Sequence, residues 1–173
     1  NGASDGSGDV NTVSKTFTVN VNSINDAPTL DDIVDITIDE DASAQTVSLS
    51  GIADGDADLT QTLTVTASSS NTSLVPNPSV TYTSANTTGS LAFTPVAGQF
   101  GTANITVTVT DNGATGGSNV NTVSKTFAVN VNSINDAPTL NDIGDIALAD
   151  AEDAGAQTVS LSGICLLYTS PSP

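Results

Sequence analysis

The stretch NTVSKTFTVNVNSINDAPTL at residues 11–30 decides how the chain is read, because it returns at residues 121–140 with one change, Thr18 against Ala128. The spacing is 110 residues. A second block, AQTVSLSGI at 44–52, recurs at 156–164, a spacing of 112, so two residues are inserted in between, in LADAEDAGA (148–156) near Asp150. A period near 110 is the size of one all-β sandwich and too long for a solenoid rung that cannot bury its own core. Each repeat is therefore expected to be a domain, and the chain a tandem array.

Within the first copy, residues 12–22 alternate, with Val13, Phe17, Val19 and Val21 on one face. That is a strand whose partners lie elsewhere. Lys15 and its copy Lys125 fall on the apolar parity, which calls for a bulge or for a stem lying along the core edge with the ammonium in water. Asn25-Asp26-Ala27-Pro28 ends the strand, since proline cannot donate to a ladder and biases Ala27 to extended backbone, and it reads as a linker.

Working outward, the complete copy offers strands at 33–38, 45–52, 60–67, 79–83, 89–94, 103–110 and 122–132. Seven short strands separated by turn signals predict an all-β, seven-stranded immunoglobulin-like sandwich. Its core is expected to hold Ile36, Ile38, Val47, Leu49, Leu63, Val65, Val80, Tyr82, Leu91, Phe93, Ile105, Val107, Val109, Val123, Phe127, Val129 and Val131, with Leu74 and Phe100 packed from loops. Each such side chain contributes about 1.5–3 kcal/mol when fully buried, so the set suffices for a stable domain without any helix.

The expected organisation is a last loop and strand of a preceding repeat at 1–26, a complete repeat at 27–136, and the first two strands of a following repeat at 137–164. Similarity between the copies stops abruptly after Ile164, where CLLYTSPSP (165–173) carries the chain's only cysteine. That string resembles translated sequencing-adaptor tails and is set aside as non-native.

Composition narrows the partners. Two basic against 19 acidic residues give a formal charge of −17, which argues against nucleic acid and against insertion in or adhesion to anionic membranes; cations are the expected company. No apolar run reaches the roughly 18 residues of a membrane span, and no signal peptide opens the chain, so an export signal is expected upstream. A repeat free of cysteine has neither disulfides nor thiolate metal sites, and its acidic, Thr/Ser/Asn/Val-rich composition fits a bacterial surface or secreted protein, hence an extracellular location.

The acids are segregated: nine lie between Asp31 and Asp58 and no charged residue lies between Leu59 and Thr110. In a sandwich of this topology Asn25, Asp26, Asp54, Asp56, Asp58 and Asp111 gather at one pole. Asp39, Glu40 and Asp41 lie at the other, beside Asn135 and Asp136. Carboxylates crowded at both poles repel one another, and a hard dication such as calcium, which takes six to eight oxygens, removes that repulsion. The DGDAD run lacks the closing Glu of an EF-hand, and taken alone it reads first as a solvated polar loop.

The linker NDAP at 25–28 and 135–138, ITIDED at 36–41, ADGDAD at 53–58 and VTDNG at 109–113 together resemble the cadherin-like tandem repeats of bacterial surface and adhesin proteins, over residues 1–164. The resemblance implies calcium (Ca2+) held between successive domains. On it, Glu40 matches the family's acid after the first strand, Asp54 and Asp56 its DxD loop, Asp111 its A-x-D-x-G turn, and Asn25/Asp26 and Asn135/Asp136 its linker. Two family ligands are replaced: the linker's first Asp is Ser23 or Ser133, and the acidic segment before the sixth strand is PVAGQFG at 95–101.

The expected function is thus a structural extender repeat of a bacterial cell-surface or secreted adhesin, stiffened by calcium between domains. Its partners are neighbouring repeats of the same chain, with other cell-surface proteins or glycans as further candidates. A carbohydrate-binding accessory module is the alternative, but such sites use an aromatic platform and the chain has no Trp. With no His and no base to activate its serines, no enzyme is expected.

Overall fold

The computed structural model describes residues 12–114, 120–145 and 155–165. The opening loop at 1–11, the insertion near Asp150 and the tail from 166 lie outside the described residues. Seven strands form in the expected places: β1 (Ile36–Asp39), β2 (Gln45–Leu49), β3 (Leu63–Ser69), β4 (Ser79–Thr81), β5 (Gly89–Phe93), β6 (Gly101–Asp111) and β7 (Thr122–Asn132). They make two sheets, β1-β7-β6-β3 and β2-β5-β4, packed as an immunoglobulin-like sandwich. All pairings are antiparallel except β1 with β7.

The longest pair, β6 with β7, runs in unbroken register from Gly101 opposite Val131 to Thr110 opposite Thr122. Lys125 therefore needs no bulge. It sits opposite Val107 on the inward parity, half-buried, and its Nζ reaches Asp32 Oδ1 at 2.6 Å. On the outer face a ladder of hydroxyls crosses the same pair, Thr106 to Thr126 at 3.1 Å and Thr108 to Ser124 at 2.8 Å. Such cross-strand pairs stabilise a wet sheet face, which accounts for the threonine-rich composition of these strands.

The core is the inward row of each strand, with Leu49, Leu91, Ile105, Val107, Val109, Phe127 and Val129 essentially inaccessible. Ile36, Ile38, Val47, Val80, Tyr82 and Val123 pack against it only partly buried. Leu30, Ile52, Val75 and Ala103 belong to it as well, although alternation alone did not mark them. Phe100 does not: it is 43% exposed. Gly98 and Gly101 on either side of it take positive φ and turn the chain outward, and Leu74 with Val75 fill the sandwich end instead.

The repeat supplies its own comparison. Residues 122–132 are a strand gripped between β1 and β6, whereas residues 12–22, the same sequence but for Thr18, form no strand and pair with none of the described residues, and Phe17 is 87% exposed. Strand formation here is dictated by partners rather than by local preference. The segment 137–165 likewise forms no strand among its described residues. It keeps one local feature of the complete repeat. The Thr29–Ala53 bridge, with Thr29 Oγ1 donating to Gly51 O, is repeated as Thr139–Cys165, with Thr139 Oγ1 donating to Gly163 O.

Candidate functional site

Three inward rows end in a polar residue instead of an apolar one. Ile36 and Ile38 are followed on the same parity by Glu40; Ile105, Val107 and Val109 by Asp111; and Leu63 and Val65 are preceded by Gln61. All three are buried, Glu40 at 6%, Gln61 at 8% and Asp111 at 4% exposure. A buried polar group is costly unless it is hydrogen-bonded, so these row ends mark where the sandwich is built to hold something polar.

At the upper pole the linker, the β2–β3 loop and the turn after β6 meet. Asn25 is buried at the centre, its Nδ2 donating to Val120 O at 2.6 Å and reaching the Asp111 carboxylate oxygens at 3.3 and 3.4 Å. Gln61 Nε2 donates to Asn25 Oδ1 and to Asp56 Oδ2, the latter at 3.1 Å. The Gln61 backbone N–H donates to Asp54 Oδ2 at 3.0 Å. Asp56 also orders its own loop, accepting from the backbone N–H of Asp58 and Leu59. Asp58 in turn accepts from Ser23 Oγ at 3.4 Å. Asp26 is exposed and joins through its backbone carbonyl, which accepts from Asn25 Nδ2.

Two glycines make this approach possible. Gly55, at φ +77°, lets the DGDAD turn lie against the Ala27 carbonyl. Gly113 lies under the Asn25 and Gln61 amides, and a Cβ there would occupy the space they fill. One atom is left over: Gln61 Oε1 is buried and accepts no hydrogen bond from the described residues.

The lower pole is built on Glu40. Its Oε1 accepts from the Ile134 backbone N–H at 2.8 Å, and its own N–H donates to Asn132 O at 2.8 Å, so the end of β1 grips the outgoing linker. Asp39 Oδ1 accepts from Asn132 Nδ2, and Asp41 Oδ1 from Gly98 N–H. Asn135 is exposed and Asp136 half-buried; Asn135 Nδ2 donates to Asp136 O at 3.2 Å, the same local bond that Asn25 makes to Asp26.

The structure thus places Asn25, Asp54, Asp56 and Asp111 together at one pole, Asp26 at its rim, and Glu40 with Asn135 and Asp136 at the other. Sequence reasoning passed over Gln61, although its polar side chain on an apolar parity was the available signal. Among the described residues no three acids come close enough to hold a metal by themselves. The oxygens at the upper pole are a mixed set of carboxylates and side-chain amides, with the Gln61 amide between them. The negative pole is felt at Tyr82, whose phenol is pushed up by burial and then by the charge of Asp54. Tyr82 packs inward with its hydroxyl donating to Asn86 O, so it presents no flat aromatic platform of the kind a sugar site uses.

The structure is similar to that of titin domains Z1Z2 in complex with telethonin, at 15% identity and a TM-score of 0.42, over 70% of this chain and 55% of that one. It is also similar to domains 4 and 5 of the S-layer protein SbsC, at 20% identity and a TM-score of 0.35, over 60% and 53%. The chain spans about half the length of these solved structures. No curated protein matches it. The family model described as a bacterial Ig domain matches residues 25–126, from the buried linker asparagine into β7, more than half of the sequence. The chain belongs to the bacterial Ig domain family.

Proposed function

We propose that the chain is an extender segment of a bacterial surface or secreted adhesin, in which each repeat is joined to the next through a junction closed by calcium. The observation that carries this is the pair of near-identical linkers seen in two settings. In one, Ile134 donates its N–H to Glu40 of the repeat before it. In the other, Asn25 is held by Asp111 and Gln61 of the repeat after it. Ile134 and Asn135, like Ile24 and Asn25, are adjacent, and consecutive Cα atoms are about 3.8 Å apart. A linker flanked by two whole repeats therefore brings the Glu40 pole of one repeat against the Asp54, Asp56 and Asp111 pole of the next.

Acids meeting in that way repel unless a cation lies among them. The donor set suits a hard one: carboxylate oxygens from Asp54, Asp56, Asp111 and the preceding Glu, with amide oxygens from Asn25 and a buried acceptor on Gln61 still unused among the described residues. Bound calcium supplies charge neutralisation and fixes the angle between domains. A structural role agrees with a family of sandwich modules and with acids placed at poles rather than in a cleft.

The test is small-angle scattering of a polypeptide carrying two whole repeats, in calcium and then in chelator. The expected result is a longer, stiffer particle in calcium and a raised melting temperature, since a ligand of the folded state at 100 times its Kd adds about 2.7 kcal/mol. Identical profiles and identical melting in both conditions overturn the proposal.

A further inference from the structure

The Gln61 amide faces the upper pole with its nitrogen between Asn25 Oδ1 and Asp56 Oδ2, while its oxygen is buried without a donor among the described residues. An amide turned by half a revolution about its last bond exchanges the two positions. Oε1 then joins Asn25 Oδ1 and Asp56 Oδ2, and three oxygens surround the place where two N–H bonds had been. The first arrangement is the one that oxygens adopt toward a donor, the second the one they adopt toward a cation.

Resting on the calcium reading above, we infer that Gln61 is a two-state ligand: its NH2 group ties Asn25 to Asp56 when the cation is absent, and its carbonyl oxygen coordinates the cation when it is present. The amide thereby keeps the acidic pole folded at low calcium. A carboxylate in its place has no donor to offer the empty site, and an apolar residue has no oxygen to offer the full one. Burial at 8% exposure and the closeness of Gly113 hold the side chain where both states are reachable.

An isotope-labelled polypeptide of two whole repeats, titrated with calcium, tests this directly. The Gln61 side-chain amide nitrogen and carbonyl carbon signals are expected to move together along one saturating curve. Gln61→Glu is expected to bind calcium about ten-fold more tightly while melting lower in chelator, and Gln61→Leu to bind about ten-fold more weakly. Asp56→Asn marks the site and weakens binding in every background. Calcium binding that depends on Asp56, with Gln61 signals unmoved and both Gln61 variants within two-fold of the parent, overturns the inference and leaves the extender reading standing. A polypeptide of two whole repeats that takes up no calcium by calorimetry overturns both.

Discussion

Replacing Asn25 by Ala strips the upper pole of its central partner. The Nδ2 bond to Val120 O at 2.6 Å and the contacts to Asp111 are lost, and Gln61 Nε2 loses one acceptor. Each buried group left unsatisfied costs about 1–3 kcal/mol, and Asp111 at 4% exposure has little water to turn to. Its carboxylate keeps the Gly113 N–H, at 2.8 Å, so the loss is partial. The expected destabilisation is about 2–4 kcal/mol, which moves the midpoint of urea unfolding by about 1–2 M at a slope near 2 kcal/mol/M. The second linker supplies the control: Asn135→Ala removes an exposed residue whose side chain bonds, among the described residues, only to Asp136 O, and is expected to change stability by under about 0.5 kcal/mol. Urea unfolding followed by circular dichroism, with the slope checked for constancy, reads both. Equal effects from the two substitutions would show that Asn25 stabilises nothing beyond its own linker, and the account of the pole would fall.

The same logic applies to the aromatic pair. Phe127→Ala, at a site 1% exposed, is expected to cost about 3–5 kcal/mol, and Phe17→Ala nothing measurable; comparable losses in thermal melting would mean that residues 12–22 are packed after all. At Asp32 the hydrogen bond from Lys125, and then its charge, hold the carboxyl below the usual carboxylate range. A depressed folded pKa contributes stability above the unfolded value near 3.9 that is lost as pH falls through the lower folded one. A carbon-detected titration should therefore find Asp32 titrating below an ordinary aspartate, and Lys125→Gln should return it to the ordinary range. An unmoved Asp32 signal in that variant would remove the ion pair from the description.

The strands were legible because alternation and turn residues agree along the whole repeat, and β7 matched its expected span residue for residue. What was illegible follows from what alternation measures. Ala103 is too small to stand out as a core residue, and Leu30 lies outside any strand, where no parity is defined; Ile52 falls on the outward parity of the expected strand 45–52, but β2 ends at Leu49 and Gly51, at φ +67°, breaks the alternation before it. Phe100 is large and apolar, yet flanking glycines rather than hydrophobicity decide its direction. At the acidic pole, charge drew attention to Asp54, Asp56 and Asp111, but the residue that joins Asp56 to the linker is an uncharged glutamine in a stretch with no acids at all.

One further consequence lies in the twin copies of the last strand. Residues 12–22 and β7 differ at one position, and at that position Ala128 is held through its backbone N–H, which donates to Asp35 Oδ1 at 2.6 Å and which any residue offers. Sequence therefore gives a slot no means of telling its own strand from a neighbour's. What distinguishes them is tether length: ten residues (112–121) join β6 to β7, whereas 78 residues (23–100) separate β6 from the other copy at 12–22. Loop closure converts that ratio to about 2 kcal/mol, or roughly twenty-fold. In an array of such repeats made in order, each last strand is taken up by its own slot before the following slot is made, while one refolded all at once should exchange strands in a few per cent of its domains.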